Sequence, residues 1–215
     1  MKYLTVGTKE LKADMLYGIE DLEDIGIIKP RGGLWLTKYY DDTPNYNEWV
    51  DYMIEHPSIL CYKNKEPNIF VQPCALVTLK KDTKIFVLDT PEKHKYLIDN
   101  YPYNKAKFSY EDLSADYDGI YVRPHEITKN DNNETTREKF NRFSIDSLIL
   151  FNLDCIDYYQ SGIVDIEPFD VEFPEYDYCN RYYEIKIEAT KKKVDTRKTE
   201  KNKKRVLVRN EKIIH

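Results

Sequence analysis

No apolar run in this sequence approaches the ~18 residues that would cross a bilayer, so no membrane span is expected. The first apolar stretch, YLTVGT, meets Lys9 after six residues, too short for a secretory leader. Cysteine is scarce. Cys61, Cys74, Cys155 and Cys179 form no CxxC pair, which argues against a disulfide framework or a structural zinc site and for reduced thiols in a cytoplasm. The four histidines show no HExxH or HxxxH spacing, so no metal is expected. There are only 7 glycines, and neither GxxxxGK[ST] nor GxGxxG occurs, which removes the two common phosphate cradles. No GxSxG nucleophile turn is present. Asp21–Gly26 imitates the start of a calcium loop, but its twelfth position is Gly32 rather than Glu.

What the chain does have is tyrosine, 19 of 215 residues. Leu, Ile, Val and Phe make up roughly a quarter of it, above the level at which a charged chain stays disordered. A core is therefore expected, lined in part by tyrosines that keep a hydroxyl near water or a partner. The formal charge of −5 is unevenly spread: from Lys186 to His215 there are 12 basic and 4 acidic residues, a net +8, against −13 for the remainder. That divides the chain into a body, 1–185, and a last strand with a basic tail, 186–215. The tail segment 191–212 suits a phosphate-rich partner, or is a solvated extension. The Lys-, Asn-, Ile- and Tyr-rich composition fits an AT-rich genome, such as that of a phage or its host.

Periodicity predicts a strand over 3–8 and a helix carrying Leu11, Met15, Ile19 and Leu22, closed by Gly26. GLWLT (33–37) reads as a strand, and Thr43-Pro44 as the start of a helix bearing Tyr46, Trp49, Val50 and Met53. CALVTL (74–79) and KIFVLD (84–89), four polar residues apart, have hairpin spacing. Thr90-Pro91 and Ser109 read as helix caps. YDGIYV (117–122) is a turn into a strand, 125–142 an exposed polar excursion, SLILFN (147–152) a buried strand, and RYYEIKIEAT (181–190) a last strand. Helices and strands mix without a βαβ period, which predicts an α+β fold.

Four segments in order resemble a known family: YLTVGT followed by a helix; GIIKPRGGLWLT (26–37) followed by a helix bearing Trp49; CALVTL with KIFVLD; and FSIDSLILFNLDCIDYY (143–159). Over about residues 3–160 this order is similar to the catalytic domain of ADP-ribosyltransferases of the poly(ADP-ribose) polymerase type and to their small phage and bacterial relatives. The resemblance implies a split β-sheet sandwich with flanking helices, NAD as substrate, and transfer of ADP-ribose to a protein or nucleic-acid acceptor in the cytoplasm, the host's if the source is viral. The family's triad is histidine, tyrosine and glutamate, and the matching positions are Thr5, Trp35 and Asp146, all three substituted. The resemblance thus implies Asp146 as the catalytic carboxylate, with Thr5, Gly7, Trp35 and Thr37 around NAD, and Thr5, Trp35 and Asp146 lining one pocket. It also puts the acceptor-binding loop at about 125–142, with Arg137, Lys139 and Arg142.

The chemistry suits a carboxylate. Breaking the nicotinamide–ribose bond develops positive charge on the ribose, and an anion beside it stabilises the transition state more than the ground state. Plainer readings stand beside these: Trp35 as a core aromatic, Asp146 as the first residue of a strand paired to Arg142 or capping a turn, Thr5 as a good strand former. Two other functions remain open: a noncatalytic member of the same fold that binds NAD, ADP-ribose or a partner, and a nucleic-acid-binding module working through the tail.

Overall fold

The structure, a computed structural model, describes residues 1–13, 18–21, 30, 32–56, 70–104, 107–129, 140, 143–168 and 182–195. It is an α+β protein built on one large sheet. The strands are β1 (Lys2–Val6), β2 (Leu34–Tyr39), β3 (Val71–Leu79), β4 (Ile85–Leu88), β7 (Gly119–Val122), β8 (Ser147–Leu150), β9 (Ile156–Ile166) and β10 (Tyr183–Ile187). Their order is β10-β9-β3-β1-β2-β8-β7-β4, antiparallel throughout except for the β4/β7 pair. A separate two-stranded ribbon joins β5 (Pro102–Asn104) to β6 (Lys107–Phe108).

The sheet has two halves. β1 follows β3 along its whole length, and β2 follows β8 from Leu34 to Leu36. Between β1 and β2 the ladder covers only Lys2↔Tyr39, Tyr3↔Lys38 and Leu4↔Thr37. Beyond that pair each strand belongs to its own half.

Alternation along the strands gives the sheet two apolar faces. On one face of the first half, Leu4, Val6, Cys74, Leu76, Val164 and Ile185 meet Val50, Met53 and Ile54 of α1 (Glu48–Glu55). Each such fully buried side chain contributes about 1.5–3 kcal/mol. In the second half, Leu88, Ile120, Val122 and Ile149 meet Leu97 of α2 (Pro91–Asn100), Tyr110 and Leu113 of α3 (Tyr110–Asp116) and Ile127 of α4 (Pro124–Lys129). The opposite face is one core across both halves: Tyr3, Leu36, Ala75, Val77, Leu148 and Leu150, closed by Leu11, Leu153, Cys155 and Val194.

Two helix starts match their sequence signals. Thr90 accepts from the Lys93 N–H, and Ser109 from the Asp112 N–H. The α1 start does not: Thr43 and Tyr46 lie in backbone turns, and the cap is Asn47. The expected helix through Leu11 has no counterpart among the described residues 11–13 and 18–21; Met15, Leu22 and Gly26 lie outside them. The expected hairpin of 74–79 with 84–89 is not formed. β4 leaves β3 and pairs parallel with β7 at the far edge of the sheet. The polar excursion begins as α4, and residues 130–139 and 141–142, with Arg137, Lys139 and Arg142, lie outside the description.

Past β10 the chain turns back over β9. Tyr159 and Lys192 exchange backbone hydrogen bonds, at 2.9 and 2.8 Å. Lys192 Nζ donates to the buried Ser161 hydroxyl at 2.6 Å, and the Ala13 N–H donates to the Asp195 carbonyl at 3.0 Å. Lys191 lies over the Tyr158 ring and Lys193 pairs with Asp157. The first stretch of the basic segment is thus bound to the body, and its three lysines already have partners. The division at 185/186 falls inside β10. Residues 196–215 lie outside the description.

Candidate functional site

β7 ends at Val122, and β8, antiparallel to it, begins at Ser147. Tyr121 is paired with Leu148, so alternation carries Tyr121, Arg123 and Asp146 to one face at this end of the sheet. There the Asp146 carboxylate accepts from Arg123 Nε at 3.0 Å and from the Tyr121 hydroxyl at 3.4 Å. Arg123 Nη2 also reaches Glu126 at 3.6 Å. The Asp146 side chain is 18% exposed and that of Arg123 38%, so the pair is neither buried nor fully wet. Its hydrogen bond to Asp146 raises the Arg123 pKa further.

The N-terminus of α1 adds a second carboxylate. The Asn47 side chain accepts from the Trp49 and Val50 N–H groups, which fixes the first turn of the helix. Glu48, the first helical residue, accepts from the Asp146 backbone N–H at 3.2 Å through Oε2. Burial raises the Glu48 pKa, and the nearby Asp146 charge adds to the rise, while the Asp146 N–H opposes it. Burial likewise raises the Tyr121 hydroxyl, reinforced by Asp146 and Glu48. Tyr46, 48% exposed, feels the charges of both carboxylates and presents an aromatic ring at the rim. Two carboxylates, a guanidinium and two phenols therefore converge where three elements meet.

The remaining sequence-derived positions lie elsewhere. Trp35 is paired with Ile149, on the face opposite Asp146. It stacks on Phe143 at 6.0 Å and donates to the Gly32 carbonyl at 3.1 Å. Thr5 is buried, paired with Ala75, and shares its face with Tyr3 and Leu36; the β1 residues on the face of Trp35 are Lys2, Leu4 and Val6. Thr37 lies on Trp35's face with its hydroxyl donating to Asn47 Oδ1 at 3.1 Å. Gly7 has φ +105°, donates to the Pro73 carbonyl at 2.7 Å, and borders a surface cavity of about 330 Å³ with Thr8, Lys9, Val71, Pro73 and Ile163. The expectation that Thr5, Trp35 and Asp146 line one pocket is therefore corrected. Strand period is two, and the spacing of these three residues puts Trp35 across the sheet from the others.

Glu48, Tyr121 and Arg123 were not singled out in the sequence. The available signal was the Tyr-x-Arg spacing of 121–123, which places a donor pair on one face of a strand end. Cys74 and Cys155 offer no nucleophile: burial pushes both thiols up to about 12. Among the described residues, no helix is long and apolar enough to cross a membrane. Compared with protein-family models, curated proteins and solved structures, the chain matches none.

Proposed function

We propose that this chain is an NAD-dependent ADP-ribosyltransferase of the split-sheet type, with Asp146 as the carboxylate beside the reacting ribose. One observation carries the reading: the three strand segments that resemble the family's triad motifs, around positions 5, 35 and 146, are neighbours in the sheet as β1-β2-β8. The short ladder between β1 and β2, which leaves the sheet in two halves, agrees with it. Asp146 is held by Arg123 and Tyr121, so its carboxylate is oriented before any ligand arrives. The Arg123 charge offsets part of its field, and ligand binding has to turn the anion toward the ribose. Tyr46 supplies the stacking ring that Trp35, across the sheet, does not. The acceptor is a protein or nucleic acid, met in a cytoplasm, the host's if the source is a phage.

The test is nicotinamide release from NAD, with label transfer in a host lysate. Asp146→Asn should lower turnover by at least ~10²-fold and leave NAD affinity much less changed. Equal turnover in the variant would move the chemistry away from Asp146. A second reading is a noncatalytic NAD-, ADP-ribose- or partner-binding member of the same fold, favoured by the position of Trp35 and the Arg123 ion pair. It predicts calorimetric binding of NAD or ADP-ribose with no release of nicotinamide.

A further inference from the structure

We infer that Glu48 is the general base of this site and that the acceptor it serves is a hydroxyl; the inference rests on the reading of Asp146 above. The geometry is a division of labour between two carboxylates at one end of the sheet. Asp146 has a guanidinium on Oδ2 at 3.0 Å. Glu48 has no cation paired with it among the described residues. Its Oε2 is tied to the Asp146 N–H at 3.2 Å, and Oε1 accepts no hydrogen bond from any described residue. One oxygen therefore fixes the side chain and the other has a lone pair to offer. The titratable groups around it are Asp146 before β8, His125 of α4, Asp51 of its own helix, Tyr121 of β7 and Tyr46 before the cap. Burial and the Asp146 charge make Glu48 a stronger base than a solvated carboxylate, closer to what proton abstraction at neutral pH needs.

The step balances. The bond from ribose C1′ to the nicotinamide nitrogen breaks, and its electron pair cancels the pyridinium charge. A lone pair of the acceptor oxygen forms the new C1′–O bond. The proton of that hydroxyl passes to Glu48 Oε1 and then to solvent. An acceptor that already carries an anionic nucleophile needs no such base.

That difference supplies the test, with water and azide as acceptors. Glu48→Gln keeps an oxygen to accept from the Asp146 N–H and loses the basic one. With the full chain, nicotinamide release to water should fall ~10²–10⁴-fold in Glu48→Gln at unchanged melting temperature. Azide has no proton to lose, so it should restore most of the rate to Glu48→Gln and none to Asp146→Asn. The wild-type rate should fall on acidification with a midpoint above the ordinary glutamate value of 4.5, and in azide-rescued Glu48→Gln the limb should instead follow the protonation of azide itself. Glu48→Asp should lose rate but keep the limb. A wild-type chain that releases no nicotinamide overturns this inference together with the transferase reading. An active wild type with Glu48→Gln equally active, or inactive and deaf to azide, overturns the role of Glu48 alone and leaves Asp146 standing.

Discussion

Replacing Asn47 with alanine should cost the fold about 2–4 kcal/mol. The Asn47 side chain is completely buried and every polar atom of it is used. Oδ1 accepts from the Trp49 N–H at 3.1 Å, the Val50 N–H at 3.4 Å and the Thr37 hydroxyl at 3.1 Å, and Nδ2 donates to the Lys38 carbonyl at 3.1 Å. Loss of an N-cap costs about 1 kcal/mol. The Thr37 hydroxyl, 4% exposed, is then left without its acceptor, at about 1–3 kcal/mol. The Lys38 carbonyl lies on a half-buried residue and can turn to water. Against a typical domain stability of ~5–15 kcal/mol this is a large fraction. Urea denaturation followed by tryptophan fluorescence, with the midpoint compared at constant slope, measures it. Thr37→Val in the alanine background should recover about 1 kcal/mol of coupling, because it removes the orphaned hydroxyl. A cost below ~1 kcal/mol for Asn47→Ala, or strict additivity with Thr37→Val, would refute the account of Asn47 as the joint between β2 and α1.

Two further outcomes can be checked by thermal melts. A Cβ at Gly162 would lie 2.5 Å from the Lys186 carbonyl oxygen and 3.1 Å from Cys74 Sγ, so Gly162→Ala must push β9 from both neighbours. Overpacking of about 1–3 kcal/mol should lower the melting temperature by roughly 3–10 °C, and an unchanged melt would deny the close strand approach. Truncation after Thr190 removes Val194 from the core and Lys192 from Tyr159 and Ser161, whereas truncation after Asp195 keeps both. The shorter chain should melt several degrees lower, and identical melts would show that segment 191–195 is not bound to the body.

What the sequence carried about the fold was what is local. Thr90 and Ser109 stand at helix starts because a short oxygen-bearing side chain satisfies the first free N–H groups wherever the helix is placed. SLILFN is a strand with four consecutive buried residues. The hairpin reading of 74–89 failed for the converse reason. The polar turn was visible, but the partner of β4 is a strand more than thirty residues away, and parallel pairing leaves no turn signal. α1 begins at Asn47 rather than at Thr43-Pro44 because only Asn47 finds both the helix N–H groups and the Thr37 hydroxyl. Asp146 is legible in the sequence, but the Tyr121 and Arg123 side chains that hold it come from the end of another strand, and Trp35, expected in the same pocket, lies on the other face of the sheet. Each of those errors is a question of register, fixed by cross-strand pairing and not by composition.

The three-residue ladder between β1 and β2 has a mechanical consequence. On one side of it a single apolar core runs from Tyr3 and Ala75 through Leu36 to Leu148, so that face resists separation. On the other side the side chains divide into two clusters, one under α1 and one under α2–α4, with the ladder between them. Separating the two halves toward the shared core would break one continuous apolar cluster, whereas on the other side it would cross only the ladder between two clusters, so resistance to bending should be unequal on the two faces. The Asn47 network bridges that divided face, tying Thr37 of β2 to α1 and to Tyr183 of β10.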